Sequence, residues 1–168
     1  LLAPPDSTVE VGLLDGADRP TRLRLVSVVA PGEPVRFGSL PTVFLRFEKE
    51  RRAGSGGASV GVLRFNAWMP PIMRQLDAAV DSFRTMDGIV LDLRGNTGGL
   101  AAMISGVAGH FLERRDTLGL MRTRQTTLAI AANPRLVDTG ARPVRPFAGP
   151  VAILVDEVSA SASEAFAG

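Results

Sequence analysis

Two nearly continuous apolar runs constrain the fold of this chain more than any other feature. They are G-I-V-L-D-L-R at Gly88 to Arg94 and P-V-A-I-L-V-D at Pro150 to Asp156. Each has the length of a buried strand, and each is followed by a turn of small residues and then by a helical pattern. Strands that alternate with helices are typical of parallel pairing across a helical crossover. The sequence therefore predicts an α/β fold with a mixed sheet and βαβ crossovers.

Earlier segments predict further strands. Alternating runs at Ser7 to Leu14 and Thr21 to Val28 flank the hairpin signal Asp15-Gly16. Two more strand patterns lie at Thr42 to Phe47 and at Ala58 to Phe65. The charged, Gly-rich stretch between these two patterns predicts a loop on the surface.

An amphipathic helix is predicted after Pro70 and Pro71, which suit a helix start. Apolar residues then recur at helical spacing, at Ile72, Leu76, Ala79, Val80 and Phe83. A second helix is predicted after Gly99, and a further strand pair within Thr117 to Ala131.

Composition excludes several classes of function. The 168 residues are 45% hydrophobic and 21% charged, with a net charge of +2, which is typical of a globular chain. The arginines are scattered among acids, so we expect no nucleic-acid partner. The absence of cysteine and the single histidine exclude disulfides and disfavour a metal site, and we expect no metal and no cofactor. No apolar run has the length of a membrane span.

Ser161 and Glu164 have the spacing of a capping box, in which the serine simply begins a helix. The same place in the chain has a second interpretation. A sharp turn from strand to helix can expose a serine oxygen beside backbone N–H groups that stabilise an oxyanion. The residues alone leave both interpretations open.

The turn R-G-N-T-G-G, Arg94 to Gly99, also has two interpretations. Its glycines suit either a tight turn alone or backbone amides directed at a ligand. It does not match a phosphate-binding loop, so a nucleotide-binding domain is disfavoured. An oxyanion role would require a nucleophile nearby, and Ser161 is the best candidate.

Other titratable residues are expected to be structural. His110 adjoins an apolar helix face and is predicted to be a packing or surface histidine without a recognisable acid partner. Lys49, the single lysine, is predicted to be solvated in a charged loop. Asp92 is predicted to pair with Arg94, and Asp156 to serve a cap or loop.

Two blocks together resemble the C-terminal-processing (tail-specific) serine peptidases, whose relatives include the tricorn core protease and the interphotoreceptor retinoid-binding repeats. The blocks are G-I-V-L-D-L-R-G-N-T-G-G at Gly88 to Gly99 and V-A-I-L-V-D-E-V-S-A-S-A-S-E-A-F-A-G at Val151 to Gly168. More weakly, Leu1 to Val28 resembles the last strands of a PDZ domain. The resemblance implies partial PDZ-like strands at residues 1–30, a linker at 31–36, and a peptidase core at 37–168 that is truncated at its C-terminal end.

The resemblance also implies roles for residues. Ser161 matches the family's nucleophile, and the amides of Ala162 with Gly98 or Gly99, most of all Gly98, would form the oxyanion hole. The family's general base is a lysine about two dozen residues after the serine, beyond the last residue of this sequence. We therefore expect this chain alone to lack peptidase activity.

For the enzyme, the resemblance implies a protein or peptide substrate with an apolar C-terminal tail, and a location in the cell envelope, periplasmic or extracytoplasmic. The alternative is a non-catalytic binding module of the same fold that holds an apolar ligand or a peptide tail, as in the retinoid-binding relatives. The intact S-A-S-A-S-E favours the enzyme, whereas the absent lysine favours the module. The oligomeric state does not follow from the sequence.

Overall fold

The computed structural model describes residues 4–168. They divide into two compact units, residues 4–32 and residues 33–168. The first contains an antiparallel hairpin of β1 (Thr8–Leu14) and β2 (Pro20–Val26), as predicted from its alternating pattern. Asp15 closes the hairpin, because its Oδ1 accepts the Ala17 N–H at 2.8 Å and the Arg19 N–H at 3.0 Å. The likeness of this hairpin to a PDZ domain stays a prediction.

The second unit is built on one four-stranded sheet. In chain order its strands and helices are β3 (Glu33–Val35), β4 (Val43–Leu45), β5 (Phe47–Ala53), β6 (Ser59–Phe65), α1 (Pro70–Phe83), β7 (Gly88–Asp92), α2 (Ala102–Ala108), β8 (Thr117–Arg122), β9 (Thr127–Ala131), β10 (Val151–Leu154) and α3 (Ala162–Ala167). The sheet has the order β10-β7-β6-β5, while β3 pairs with β4 and β8 with β9. Strands β6, β7 and β10 are mutually parallel, and β5 is antiparallel to β6. This confirms the mixed sheet with βαβ crossovers.

The core forms where the apolar stripe of α1 meets the sheet. All five stripe residues predicted from the sequence are buried in α1. They join side chains from β6 and β7, among them Leu63, Phe65, Ile89 and Leu91, in one cluster with Trp68. Close packing of this kind fixes the separation between α1 and the sheet.

The charged segment after Phe47 differs from its prediction. Lys49 and its neighbours form β5, an edge strand, whereas a loop was expected there. Antiparallel pairing with β6 satisfies the backbone N–H and C=O groups on one side of this strand. An edge strand can carry charged side chains that remain in water. Lys49 itself is exposed, so only its placement in a loop was wrong.

Gly109 directly follows α2 and gives the first stability prediction. A Cβ at Gly109 would lie 1.7 Å from the Asn133 carbonyl oxygen, and that oxygen belongs to backbone that cannot yield cheaply. We expect Gly109→Ala to lower the free energy of unfolding by about 3 kcal/mol, measured as a lower urea midpoint at unchanged m-value.

Gly106, inside α2, is the matched control. Its added Cβ would meet only the flexible end of Met73, at 3.1 Å. Since alanine is a better helix residue than glycine by about 0.5–1 kcal/mol, Gly106→Ala should be neutral or stabilising. Equal effects of the two substitutions would show that the contact at Gly109 does not limit stability.

Candidate active site

The two turns singled out by the sequence lie at the same edge of the sheet. Strands β7 and β10 are parallel neighbours, with Ile89 opposite Val151 and Asp92 opposite Leu154. The Leu93 N–H continues the pairing by donating to the Leu154 carbonyl at 2.8 Å. Because parallel strands end at the same edge, the turn Arg94 to Gly99 and the segment before α3 are brought together.

Ser161 has an unusual backbone conformation at the start of α3. Its φ is 56° and its ψ is −115°, a combination that glycine adopts readily and other residues rarely do. The residue is exposed, and its N–H donates to the Glu164 Oε2 at 2.8 Å, so the glutamate completes its half of the predicted capping box. An ordinary helix cap has extended backbone angles, which means that capping alone does not account for this geometry.

The Gly98 backbone lies close against the serine. A Cβ built on Gly98 would lie 2.7 Å from both the Ala160 carbonyl oxygen and the Ser161 Cβ, and 3.1 Å from the Ala162 nitrogen. Its φ of 98° also disfavours any residue with a side chain. Glycine is therefore required for the turn to touch the serine.

The backbone amides of the two turns differ in their availability. The Gly98 N–H already donates to the Asn96 Oδ1 at 2.9 Å. Within residues 4–168, no group accepts a hydrogen bond from the Gly99 or Ala162 N–H. An oxyanion site needs free N–H groups close to the nucleophile. Ala162 directly follows Ser161 in the chain, and Gly99 directly follows Gly98, which contacts the serine.

Asp156 braces the segment that leads to Ser161. Its Oδ1 accepts the N–H groups of Gly95 and Ser159, each at 3.0 Å. These bonds, with that from Gly95 foremost, hold the pKa of the Asp156 carboxyl below its usual value. The Ser159 hydroxyl in turn donates to the Leu93 carbonyl at 2.8 Å. The predicted loop role of Asp156 thus extends to joining the two turns.

Trp68 and Ser163 form a second brace, which sequence reasoning missed. The Trp68 Nε1–H donates to the Ser163 hydroxyl at 2.9 Å, and both residues are fully buried. The backbone of Trp68 also bonds the glycine turn, since its N–H donates to the Gly98 carbonyl at 2.9 Å. No local pattern predicts this contact, because its partners lie 95 positions apart.

His110 lies in a separate buried cluster. Its Nε2 is 2.8 Å from the Asp77 Oδ1, and the Asp77 Oδ2 is 2.7 Å from the Arg135 Nη1. The expectation that His110 lacks an acid partner was therefore wrong, because α1 carries Asp77 to it. In the described part of the chain none of its hydrogen bonds reaches Ser161, and its burial fits a packing role.

Asp92 forms the predicted ion pair. Its carboxylate accepts the Arg94 Nε–H at 2.8 Å and the Arg94 Nη2–H at 2.7 Å. The guanidinium of Arg94 keeps the pKa of Asp92 below its usual value. Because both oxygens are engaged by Arg94, the pair braces the end of β7.

Comparison with known proteins identifies the family. The sequence profile of peptidase family S41 matches residues 59–168, and the chain belongs to this family, the C-terminal-processing serine peptidases. No curated protein sequence gives a significant match.

Solved structures share the fold. A photosystem II D1 C-terminal processing protease aligns with 97% of this chain and 40% of its own length, at 22% identity and a TM-score of 0.63. A protein described as an S41 protease from Bacteroides fragilis aligns with 95% of this chain and 42% of its own length, at 18% identity and a TM-score of 0.58. A protein described as a peptidase from Parabacteroides merdae aligns with 71% of this chain and 40% of its own length, at 18% identity and a TM-score of 0.53. The chain thus spans about two fifths of the length of these proteins.

Proposed function

We propose that this chain carries the nucleophile and the oxyanion hole of a C-terminal-processing endopeptidase, with Ser161 as the nucleophile. One observation supports this most: Ser161 is held in a glycine-like backbone conformation against the Gly98 turn. Strained backbone persists only where the surroundings enforce it, and such strain clusters at active sites. A serine that merely caps a helix needs neither the strain nor the contact.

The proposed reaction proceeds through an acyl-enzyme. The Ser161 Oγ forms a bond to the scissile carbonyl carbon while its proton passes to a general base. The C–N bond then breaks, and the leaving amine takes that proton. Water hydrolyses the resulting ester and releases Ser161.

Two amides would stabilise the oxyanion. We assign them to Ala162 and Gly99, because their N–H groups have no acceptor within residues 4–168. The sequence favoured Gly98 as the second donor. Its N–H is engaged by Asn96, so the availability of the amides supports Gly99 as donor and Gly98 as the residue that permits contact.

The general base would be a lysine, as the family resemblance implies. A buried lysine with a lowered pKa can accept a serine proton near neutral pH. The sole lysine of this chain, Lys49, is exposed on β5 and does not match the family's position. We therefore expect the 168-residue chain by itself to be inactive.

The proposed substrate is a protein with an apolar C-terminal tail, captured by a PDZ-like domain and cleaved outside the cytoplasm. One structural relative is a photosystem II D1 C-terminal processing protease, which supports a protein C-terminus as the substrate by analogy. None of the helices within residues 4–168 combines the length and hydrophobicity that a bilayer crossing needs.

The test compares two unstructured substrates in the intact natural protein, one ending in apolar residues and one ending in two aspartates. We expect kcat/KM to be at least about tenfold higher for the substrate with the apolar tail than for the one ending in aspartates. The reason is that the binding energy of the tail is used to position the scissile bond. Acid quenching followed by intact-mass measurement should detect an acyl group on Ser161.

The alternative predicts a different result. A binding module of the same fold would bind the apolar tail while giving neither cleavage nor an acyl adduct. Cleavage without an adduct on Ser161 would instead contradict the assignment of the nucleophile.

A further inference from the structure

Asn96 is a fully buried polar residue that joins three segments of the site. Its Nδ2–H donates to the Phe65 carbonyl at 2.9 Å, and its Oδ1 accepts the Gly98 N–H at 2.9 Å. Its own carbonyl accepts the N–H of Ala160, the residue before Ser161, at 3.1 Å. The end of β6, the glycine turn and the serine segment are therefore tied to one side chain and its backbone.

The chemistry of the partners fixes the orientation of the Asn96 amide. A carbonyl faces one end, and only a donor satisfies it; an N–H faces the other end, and only an acceptor satisfies it. Aspartate would have the same shape, but it would place a second acceptor against the Phe65 carbonyl and bury a charge. Alanine would leave both partners unsatisfied.

We propose that Asn96 is a positioning residue for the oxyanion hole, an inference that rests on the proposed peptidase function. By accepting the Gly98 N–H it turns that amide into the protein, while the exposed Gly99 keeps its N–H free. The backbone carbonyl of Asn96 accepts the Ala160 N–H, so the side-chain bonds that fix the position of Asn96 also set the distance between the turn and Ser161. Asn96 thereby acts on catalysis without touching the substrate.

Asn66 provides a matched control. It makes the same kind of pair, with its Nδ2–H donating to the Phe44 carbonyl at 2.9 Å and its Oδ1 accepting the Arg46 N–H at 2.7 Å. These bonds join β6 to the segment around β4, and none of them involves the glycine turn or the serine segment. Substitution of Asn66 therefore removes two similar bonds without disturbing the proposed hole.

The experiment uses the intact natural protein with Asn96→Asp, Asn96→Ala, Asn66→Ala and Ser161→Ala. We measure kcat, KM, the melting temperature, and the affinity for a peptide boronate that forms a tetrahedral adduct with the serine. We expect the Asn96 variants to lose about 100-fold or more in kcat and a comparable factor in boronate affinity, with KM within about threefold. Asn66→Ala should keep kcat within about threefold of the wild type, even if its melting temperature falls as much as those of the Asn96 variants.

Each outcome decides the proposal. Asn96 variants that fold and keep wild-type kcat overturn it, as do variants whose loss only matches that of Asn66→Ala at equal melting temperature. If Asn96→Ala and Asn96→Asp do not fold, Asn96→Ser, which puts a smaller hydroxyl donor and acceptor in place of the amide, is judged by the same comparison. A wild-type protein that cleaves no tailed substrate overturns the proposed function and this inference with it, whereas an active wild type with unaffected Asn96 variants overturns this inference alone.

Discussion

Replacing Ser161 by glycine in the intact natural protein should abolish cleavage and stabilise the fold at the same time. The hydroxyl is lost, and removal of a covalent nucleophile lowers kcat by about 10⁴-fold or more. The backbone angles, φ 56° and ψ −115°, suit glycine, so the substitution releases strain of about 1–3 kcal/mol. Glycine also replaces serine as a helix cap at little cost. Thermal melting and initial rates on a tailed substrate measure the two effects.

Ser161→Ala is the control that separates them. Alanine removes the hydroxyl but keeps a Cβ in the strained conformation, so it should be as inactive as glycine without being stabilised. The Ser161→Gly variant should melt at a higher temperature than the wild type. The Ser161→Ala variant should melt at or below the temperature of the wild type. Activity above about 1% of wild type in either variant would show that Ser161 is not the nucleophile. A glycine variant less stable than the alanine variant would show that the backbone is not strained.

Gly98→Ala should lower kcat by about 100-fold or more, because a displacement of about 1 Å at a reacting group can have that effect. The new Cβ would lie 2.7 Å from the Ser161 Cβ and from the Ala160 carbonyl oxygen, so the turn and the serine segment must separate. Steady-state kinetics on the tailed substrate, with the melting temperature measured in parallel, record the loss.

Gly95→Ala tests whether backbone strain alone explains that loss. Gly95 lies in the same turn with a φ of 73°, and nothing lies within 4 Å of its added Cβ. Both substitutions strain the backbone, but only the one at Gly98 pushes on Ser161. We expect Gly95→Ala to lose stability and to keep kcat within about threefold. Equal losses of kcat would attribute the effect to strain in the turn, and the close contact would have no catalytic role.

The strands and the helix that carry the site were predictable, because each depends on a pattern within a short stretch of sequence. Apolar runs of strand length predicted the positions of β7 and β10, and helical spacing predicted the buried stripe of α1, because periodicity along the chain sets which side chains are buried. The expected burial holds for β7 but was wrong for β10, which lies at the edge of the described sheet and is partly exposed along its length. The charged strand β5 was not predictable in this way, since it is held by backbone bonds to β6 that its side chains do not reveal.

The braces of the site depend on contacts between distant residues. Asn96 meets Phe65 at a separation of 31 positions, and Asp77 meets His110 at 33. The positive φ of Ser161 was also hidden, because serine rarely adopts it and the local sequence predicts an ordinary cap. Sequence patterns located the two turns, but only the assembled fold shows how each is held.

The brace between Trp68 and Ser163 gives the site an optical reporter. Trp68 is the only tryptophan of the chain, and its ring is fully excluded from solvent. Its indole N–H bonds the residue two positions after Ser161, and the ring lies 5.2 Å from that of Phe166, centre to centre. Indole emission shifts when the ring becomes wet or loses its hydrogen bond. The intrinsic fluorescence of this chain therefore records whether α3 is seated against the turn, so disorder at the nucleophile can be followed in real time without a label.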